Sequence, residues 1–517
     1  MKLNYKRTIC VGFAFFLICT FWQAYDTIIP KILTDRFGMS QTLSGVIMAL
    51  DNILALFMLP LFGVLSDRCR SRLGRRTPYI LFGTVMAVIA FIALSFVDSV
   101  QLKKIEAVTD LNDAGVRGLL YDYDYAGALV TPDGEEFVLS EKFTAEQFAA
   151  IPSADDTGAT TDEYTDYVVP ARQAYIRQEI TENNPSVLIF FIALLLIVLV
   201  SMATFRTPAV ALMPDVTVKP LRSKANAVIN LMGTIGGSLV LGLGIVLKTG
   251  KTANTFMSYT GYFCIVSGIM IVCLFIFMLT VREKKFVREM EETTEKFGLE
   301  EINGTEYDNP AAVKLPRAEM ISLVLILASV VFWFFGYNAV TSKYSVYAGN
   351  VLNLDYNSTL LVANIAALIS YLPVGFIATK IGRKKTILAG VLMLGASFLT
   401  ASFLDNGTPL PVMMCIFALA GIGWATINVN SFPMVVELAR GGNVGRYTGF
   451  YYTASMAAQT LTPIVSGFLM DSFSMKALFP YATVFVAMAF VTMLFVRHGD
   501  SVPAKKTDVA EYIPEAD

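Results

Sequence analysis

Twelve apolar runs divide this chain, each close to or above the roughly 20 residues that a helix needs to cross the hydrocarbon core of a bilayer. They span about residues 8–34, 41–66, 77–98, 187–214, 223–247, 255–281, 319–341, 357–379, 386–404, 410–436, 447–470 and 477–496. A lipid interior offers no hydrogen-bond partner to an open backbone, so runs of this kind must be helices. Composition agrees, with 55% hydrophobic and 16% charged residues, against about a quarter charged in soluble domains. The first run follows Lys2, Lys6 and Arg7 but carries Trp22, Gln23 and Asp26, and lacks a small-residue cleavage site, so it reads as a retained helix.

Between the second and third runs lies Gly63-Val-Leu-Ser-Asp67-Arg68-Cys-Arg-Ser-Arg-Leu-Gly74-Arg75-Arg76-Thr-Pro78. A shorter version, Gly375-Phe-Ile-Ala-Thr-Lys-Ile-Gly382-Arg383-Lys-Lys, recurs in the second half. Small residues let two helices close on each other, and basic clusters hold a connection on the cytoplasmic side. One such device per half is the pattern of a duplicated membrane carrier. With the N-terminus in the cytoplasm, only Lys31, Arg36, Lys248, Lys251, Lys343 and Lys476 fall in short outer segments. Both ends are therefore expected to be cytoplasmic.

Two connections are long. A linker over about 282–318, rich in alternating acids and bases, separates the sixth and seventh runs and is expected to be partly helical. The organisation expected is an N-terminal six-helix bundle (1–281), this linker, a C-terminal bundle (319–500) and a tail (501–517). An outer insertion over 99–185 carries 17 acidic and 6 basic residues. The alternation around Thr131-Pro-Asp-Gly134 predicts strand, tight turn and strand. Tyr121, Tyr123, Tyr125, Phe137, Phe143 and Phe148 could give the insertion a core.

A charge inside a bilayer costs at least roughly 2.5–3.5 kcal/mol, so each one needs a polar cavity or a partner. Only Asp26, Asp51 and Arg206 lie deep within the runs. At about 1.5 Å per residue, Asp26 sits about 12 Å and Asp51 about 15 Å below the outer ends of their helices. Two facing carboxylates cannot both ionise comfortably, so one would keep a proton it can release. Arg206 could neutralise either one or hold a ligand. The competing reading is a static buried ion cluster that fixes helix packing. The second half supplies neutral polar groups instead, among them Asn338, Tyr371, Asn428 and Asn430, and Trp22 or Trp424 could stack on a ring-shaped ligand. Each of these also serves as an ordinary interhelical contact. Asp67, Asp215 and Glu437 sit at cytoplasmic helix ends beside Arg68, Arg75, Arg76 and Arg383, where gate-closing ion pairs and caps are expected.

These motifs resemble the major facilitator superfamily, which implies an all-α membrane protein of twelve helices in two six-helix bundles. The long basic loop, Ser-Asp67-Arg68-Cys-x-Ser-Arg-x-Gly74-Arg75-Arg76-x-Pro78, is similar to that of the sucrose transporters and their bacterial relatives in the glycoside–pentoside–hexuronide:cation symporter group. Trp22-Gln23-Ala-Tyr-Asp26 to Pro30, Leu50-Asp51-Asn52, Phe205-Arg206-Thr-Pro208, Arg222-Ser-Lys-Ala-Asn226 and Asn428-Val-Asn430-Ser-Phe-Pro433 agree with it. The resemblance leaves out the 99–185 insertion. Melibiose-type sodium symporters of this group carry two aspartates shortly before a proline; anchored on Pro60, those positions here are Ala55 and Leu59. The resemblance thus implies proton coupling.

Several classes are excluded. No Gly-x-x-x-x-Gly-Lys-(Ser/Thr) loop is present, so the chain does not hydrolyse ATP itself. Its one histidine, His498, lies past the last run, and its six cysteines have no metal-ligand spacing. No cofactor, metal, enzymatic activity or nucleic-acid partner is expected. The reading is a monomeric plasma-membrane symporter that imports a sugar or glycoside with a proton. Asp26, Asp51 and Arg206 would couple the proton, and Trp22, Gln23, Asn338, Tyr371, Trp424, Asn428 and Asn430 would bind the sugar. An exporter of amphipathic compounds and a non-transporting nutrient receptor are the alternatives.

Overall fold

The computed structural model describes residues 3–154, 160–218, 221–251, 254–296, 316–436, 438 and 444–499. Glu437, the linker residues 297–315 and the tail 501–517 lie outside the described residues. Twelve long helices run through these described residues: α1 (Tyr5–Lys31), α2 (Gln41–Arg68), α3 (Thr77–Lys104), α4 (Ser186–Asp215), α5 (Arg222–Val246) and α6 (Thr260–Thr280). The second set is α7 (Arg317–Asn350), α8 (Tyr356–Ile381), α9 (Arg383–Ala401), α10 (Leu410–Val436), α11 (Val444–Ser472) and α12 (Leu478–Leu494). Among the described residues, ten helices are long and apolar enough to cross a membrane.

Local chemistry sets where these helices begin. The Asn4 side chain accepts from Arg7 N, the Ser40 hydroxyl from Leu43 N and the Asp355 carboxylate from Asn357 N, each covering an orphan donor of a first turn. Pro78 opens α3, where its missing N–H costs nothing. Between α8 and α9 the chain turns through Gly382 at φ 95°, a conformation glycine adopts without a Cβ clash.

The packing repeats with an offset of six helices. α1 packs on α5 and α6 as α7 packs on α11 and α12; α2 on α4 matches α8 on α10; α3 on α4 and α6 matches α9 on α10 and α12. One apolar cluster fills α1–α6 around Phe21, Tyr25, Phe91 and Phe205, and another fills α7–α12 around Trp333, Tyr344, Tyr347 and Phe479. The two sets meet chiefly, among the described residues, through α2 with α11, α5 with α8, and α1 with α7. In the first pair the backbones nearly touch. A Cβ on Gly45 would strike Pro463 O, and one on Gly467 would strike Gln41 O.

Several basic residues expected in outer loops are buried instead. α7 runs on to Asn350, so Lys343 lies in a helix with its Nζ donating to Gln41 O at 2.6 Å. Lys31 ends α1 and lies over the Tyr356 ring. Arg36, in a π turn that prolongs α1, is fully buried and pairs with Asp98 of α3 at 3.3 Å. These helices outrun their apolar cores, and the protein rather than water receives the charged ends.

Between α3 and α4 the insertion folds on its own apolar cluster, with Ile105, Leu120, Phe148, Val168 and Ile176 fully buried. A two-residue ladder pairs Leu129 with Phe137 and Val130 with Glu136, closed by the turn at Thr131–Gly134. Phe137 and Phe148 enter the core, while Tyr121, Tyr125 and Phe143 pack against its edge. Arg117 is held inside by the carbonyls of Leu111, Phe148 and Ile151.

Asp166 is half-buried in this unit. Burial, then the carboxylates of Asp133 and Asp162, push its carboxyl up to about 6, against the pull of Lys476. The ordinary value is about 3.9. The folded insertion thus holds this proton more tightly than the unfolded chain, and its stability rises as pH falls from about 6 toward about 4. Hydrogen exchange over residues 105–176, corrected for intrinsic rates, should show that slope, and Asp166→Asn should flatten it. An unchanged slope in the variant would place its origin elsewhere.

Candidate functional site

A cavity of about 210 Å³ lies where the two helix sets meet. Trp22, Asp26, Met48, Asp51, Asn52 and Arg206 line it from α1, α2 and α4; Asn338, Thr341, Ser342, Gln459 and Pro463 line it from α7 and α11. Helical geometry explains the second wall, because positions 338, 341 and 342 fall at i, i+3 and i+4 on one face of α7.

The three deep charges share this cavity without closing on one another. Arg206 forms no ion pair with Asp26 or Asp51 among the described residues, and its guanidinium lies 5.4 Å from the centre of the Trp22 ring. Asp51 accepts from Asn52 N at 2.6 Å and from Asn52 Nδ2 at 2.7 Å. Two donors on the wall have no hydrogen-bond acceptor: Trp22 Nε1 and Asn338 Nδ2 are both buried and unpaired. An unpaired buried donor costs about 1–3 kcal/mol, a cost that a ligand bearing hydroxyl oxygens would relieve.

The remaining residues expected at the site stand outside this lining. Gln23 Oε1 accepts from Asn364 Nδ2 at 3.3 Å, joining α1 to α8. Tyr371 hydrogen-bonds to Asn428, joining α8 to α10. Trp424 stacks face to face on Tyr337 with centroids 3.6 Å apart, so that one of its faces is already covered. Asn430 is buried and donates to Thr426 O within its own helix. Sequence reasoning passed over Met48, Thr341, Ser342 and Pro463 as lining. The spacing from Asn338 was the available signal for Thr341 and Ser342.

The expected gate residues gather at the opposite end of α2. Arg76 is buried and meets Asp67 at 2.5 Å and Asp215 at 2.8 Å, with Arg75 3.7 Å from Asp215. Glu283, the first residue of the short helix Glu283–Lys296, caps α3: its carboxylate accepts from the backbone of Arg75, Arg76 and Thr77 and from the Thr77 hydroxyl. Gly74, at φ 126°, lies against the Glu283 carboxylate. Arg68 is exposed, and Arg383 opens α9. The ion pairs of Arg75 and Arg76 with Asp67 and Asp215 lie within the first six helices.

Polar ties between the two helix sets are seen at mid-depth and at the insertion-bearing end. Asp471 of α11 accepts from Gln41 N and Thr42 N at 2.8 and 2.6 Å, capping α2 in trans. Thr249 joins Asn357 and Tyr356 across the α5–α8 contact. This conformation is therefore closed at the insertion-bearing end.

Sequence profiles of the Major Facilitator Superfamily match residues 180–371 and 359–512, and a profile described as MFS/sugar transport protein matches 10–104. The chain belongs to the major facilitator superfamily and is a multi-pass membrane protein. Local matches to curated proteins are 41% identical over 67 residues to the sucrose transport protein SUC3 of Arabidopsis thaliana (13% of this chain, 11% of that one). A further match is 35% identical over 64 residues to an Escherichia coli (strain K12) protein named as a glycoside/cation symporter, YagG (12% and 14%). The matches thus span between 11% and 14% of these relatives' length. In structure, the chain is similar to the inward-open xylose transporter XylE from E. coli at TM-score 0.56, with 12% identity and coverage of 96% and 97%. A D-xylose-proton symporter aligns at TM-score 0.53, with 14% identity and coverage of 96% and 99%. A peptide transporter in complex with sulfate aligns at 0.58, with 12% identity and coverage of 95% and 93%. At these identities the solved structures speak to the fold alone.

The Glu283 cap gives a direct test of the basic-loop cluster. Glu283→Gln preserves shape but removes the charge that four donors bond to. Its loss should cost about 1–3 kcal/mol, read as a lower thermal midpoint of the purified protein. A midpoint equal to that of the parent would remove Glu283 as a structural anchor.

Proposed function

We propose that this chain is a secondary active transporter that imports a sugar or glycoside together with a proton, by alternating access along the seam between its two helix sets. The observation that carries this reading is the cavity between the sets, where Asp26, Asp51 and Arg206 face Asn338, Thr341, Ser342 and Gln459. Two carboxylates and one guanidinium can exchange a proton for an ion pair. The unpaired donors of Trp22 and Asn338 suit hydroxyl oxygens, and an indole face suits the C–H side of a sugar ring. The local likeness to a sucrose transport protein and to a glycoside/cation symporter supports the same substrate class.

In mechanism, a ligand held at the cavity bridges the two walls, and protonation of one carboxylate biases Arg206 toward the other or toward the ligand. Neutralising the buried charge lowers the cost of carrying it through a closed intermediate. Release at one end, then deprotonation, returns the site to its starting charge. Gln23, Tyr371, Trp424, Asn428 and Asn430 hold the helices that form the walls, and the Asp67–Arg76–Asp215 cluster with Arg68, Arg75 and Arg383 steadies the basic-loop end. The proposed setting is the plasma membrane, with both termini cytoplasmic and the chain acting as a monomer.

The experiment is radiolabelled sugar uptake into proteoliposomes, with candidates chosen by thermal-shift screening, since ligand binding stabilises by mass action. Uptake should follow an imposed pH gradient and be indifferent to sodium, because Ala55 and Leu59 supply no carboxylate. A sodium requirement at constant pH would overturn the proton assignment. Binding without movement of label would instead make the chain a receptor.

Two substitutions divide the coupling step. Asp51→Asn should abolish uphill accumulation while still permitting exchange of sugar across the membrane; full accumulation would remove Asp51 from the mechanism. Arg206→Gln should lose transport yet fold, while Arg206→Lys keeps the charge without the planar fork and should retain proton response better than sugar affinity. Normal transport by Arg206→Gln would make the three charges a structural cluster.

A further inference from the structure

The insertion touches both helix sets. On its own side it is rooted on the α1–α2 connection, where Gly38 lies against the backbone of Gln173 and Arg177, and on Phe256 before α6, over which Arg172 stacks at 4.3 Å. On the other side it reaches two connections of the second set. Pro132 O, in the turn of the hairpin, accepts from Met475 N at 2.8 Å and from the Ser474 hydroxyl at 2.7 Å. Gly134 is so close to Phe473 O that a Cβ would collide with it. Lys476 meets Asp133 at 2.9 Å and Asp405 at 2.9 Å, which joins the hairpin turn to the α9–α10 connection as well. Asn406 Nδ2 donates to Thr160 O and to Asp162 Oδ1, both at 2.9 Å.

From these contacts we infer that the insertion is a strap: it is anchored on the first helix set and hooked onto the α9–α10 and α11–α12 connections of the second, and it holds the insertion-bearing mouth shut. Any motion that parts α2 from α11 and α5 from α8 at this end must carry residues 405–406 and 473–476 away from residues 132–134 and 160–162. The hooks are polar and partly exposed, so water can replace them; they set the balance between closed and open mouths without welding it. Backbone-level bonding at Pro132 gives the hook a fixed register, and Lys476, shared by two carboxylates, is the single side chain whose loss frees most of it.

The test needs no substrate. In full-length protein reconstituted in bilayers, with native cysteines replaced, nitroxides on ketone-bearing residues at positions 248 and 409 report the separation of the two sets at this end. Lys476→Glu puts like charge against Asp133 and Asp405 and should raise the population of the long distance at least threefold; Lys476→Gln should move it the same way by less. Cysteines at 133 and 476 joined by a short bis-maleimide should abolish the long distance. Two results would overturn the strap: both Lys476 variants matching the parent, or a crosslinked protein that still samples the long distance. Because neither added sugar nor an imposed pH gradient enters this readout, its outcome is separate from that of the transport assay.

Discussion

A charge in a hydrocarbon layer must be given a partner or a wet hollow, and the two solutions are distributed differently in this molecule. Toward the insertion-bearing end the charges are paired by contact: Arg36 with Asp98 as an ion pair, Lys343 with a backbone carbonyl, Asp471 with two backbone N–H groups of another helix. At mid-depth Asp26, Asp51 and Arg206 are given space instead. Contact-paired charges fix packing, whereas charges around a hollow keep more than one arrangement within reach. The difference in treatment, more than the presence of charge, marks where the molecule has room to act.

The repeated packing gives that hollow its position. With the same helix contacts in each set, the faces left over on α1, α2, α7 and α11 meet along one seam, and the cavity forms where polar side chains prevent those faces from closing. Gly45 and Gly467 bring α2 and α11 to backbone contact just beyond it, so the seam is tight at one end and hollow in the middle.

Much of the fold was legible because a bilayer imposes a length rule. An apolar run of some twenty residues has few structures open to it, and the runs found in the sequence coincide with the long helices. The rule sees only the hydrocarbon-facing stretch, so it stopped α7 short of Lys343 and set Arg36 in a loop, although both are buried by neighbouring protein. Asp26, Asp51 and Arg206 stood out as costly residues in an apolar context, and the structure gathers them around one cavity. Thr341, Ser342 and Met48 did not stand out, since hydroxyls and thioethers are ordinary in membrane helices and only the register of one helix against another turns them toward the hollow. Trp424 and Asn430 looked equally suited to a ligand, but their partners, Tyr337 and Thr426 O, come from a neighbouring helix and from a backbone turn that composition does not reveal.

The trans cap of Asp471 on the start of α2 also bears on time scale. Both carboxylate oxygens are engaged by backbone donors of a helix that belongs to the other set, beside a contact too close to slide by fractions of an ångström. Parting it exchanges these two N–H bonds to an exposed carboxylate for bonds to water and breaks the backbone contact of Gly45 with Pro463 in the same motion. Separation at this seam would then cross a barrier set by that backbone contact, and a closed mouth held this way would have a lifetime instead of being one extreme of a continuous sway.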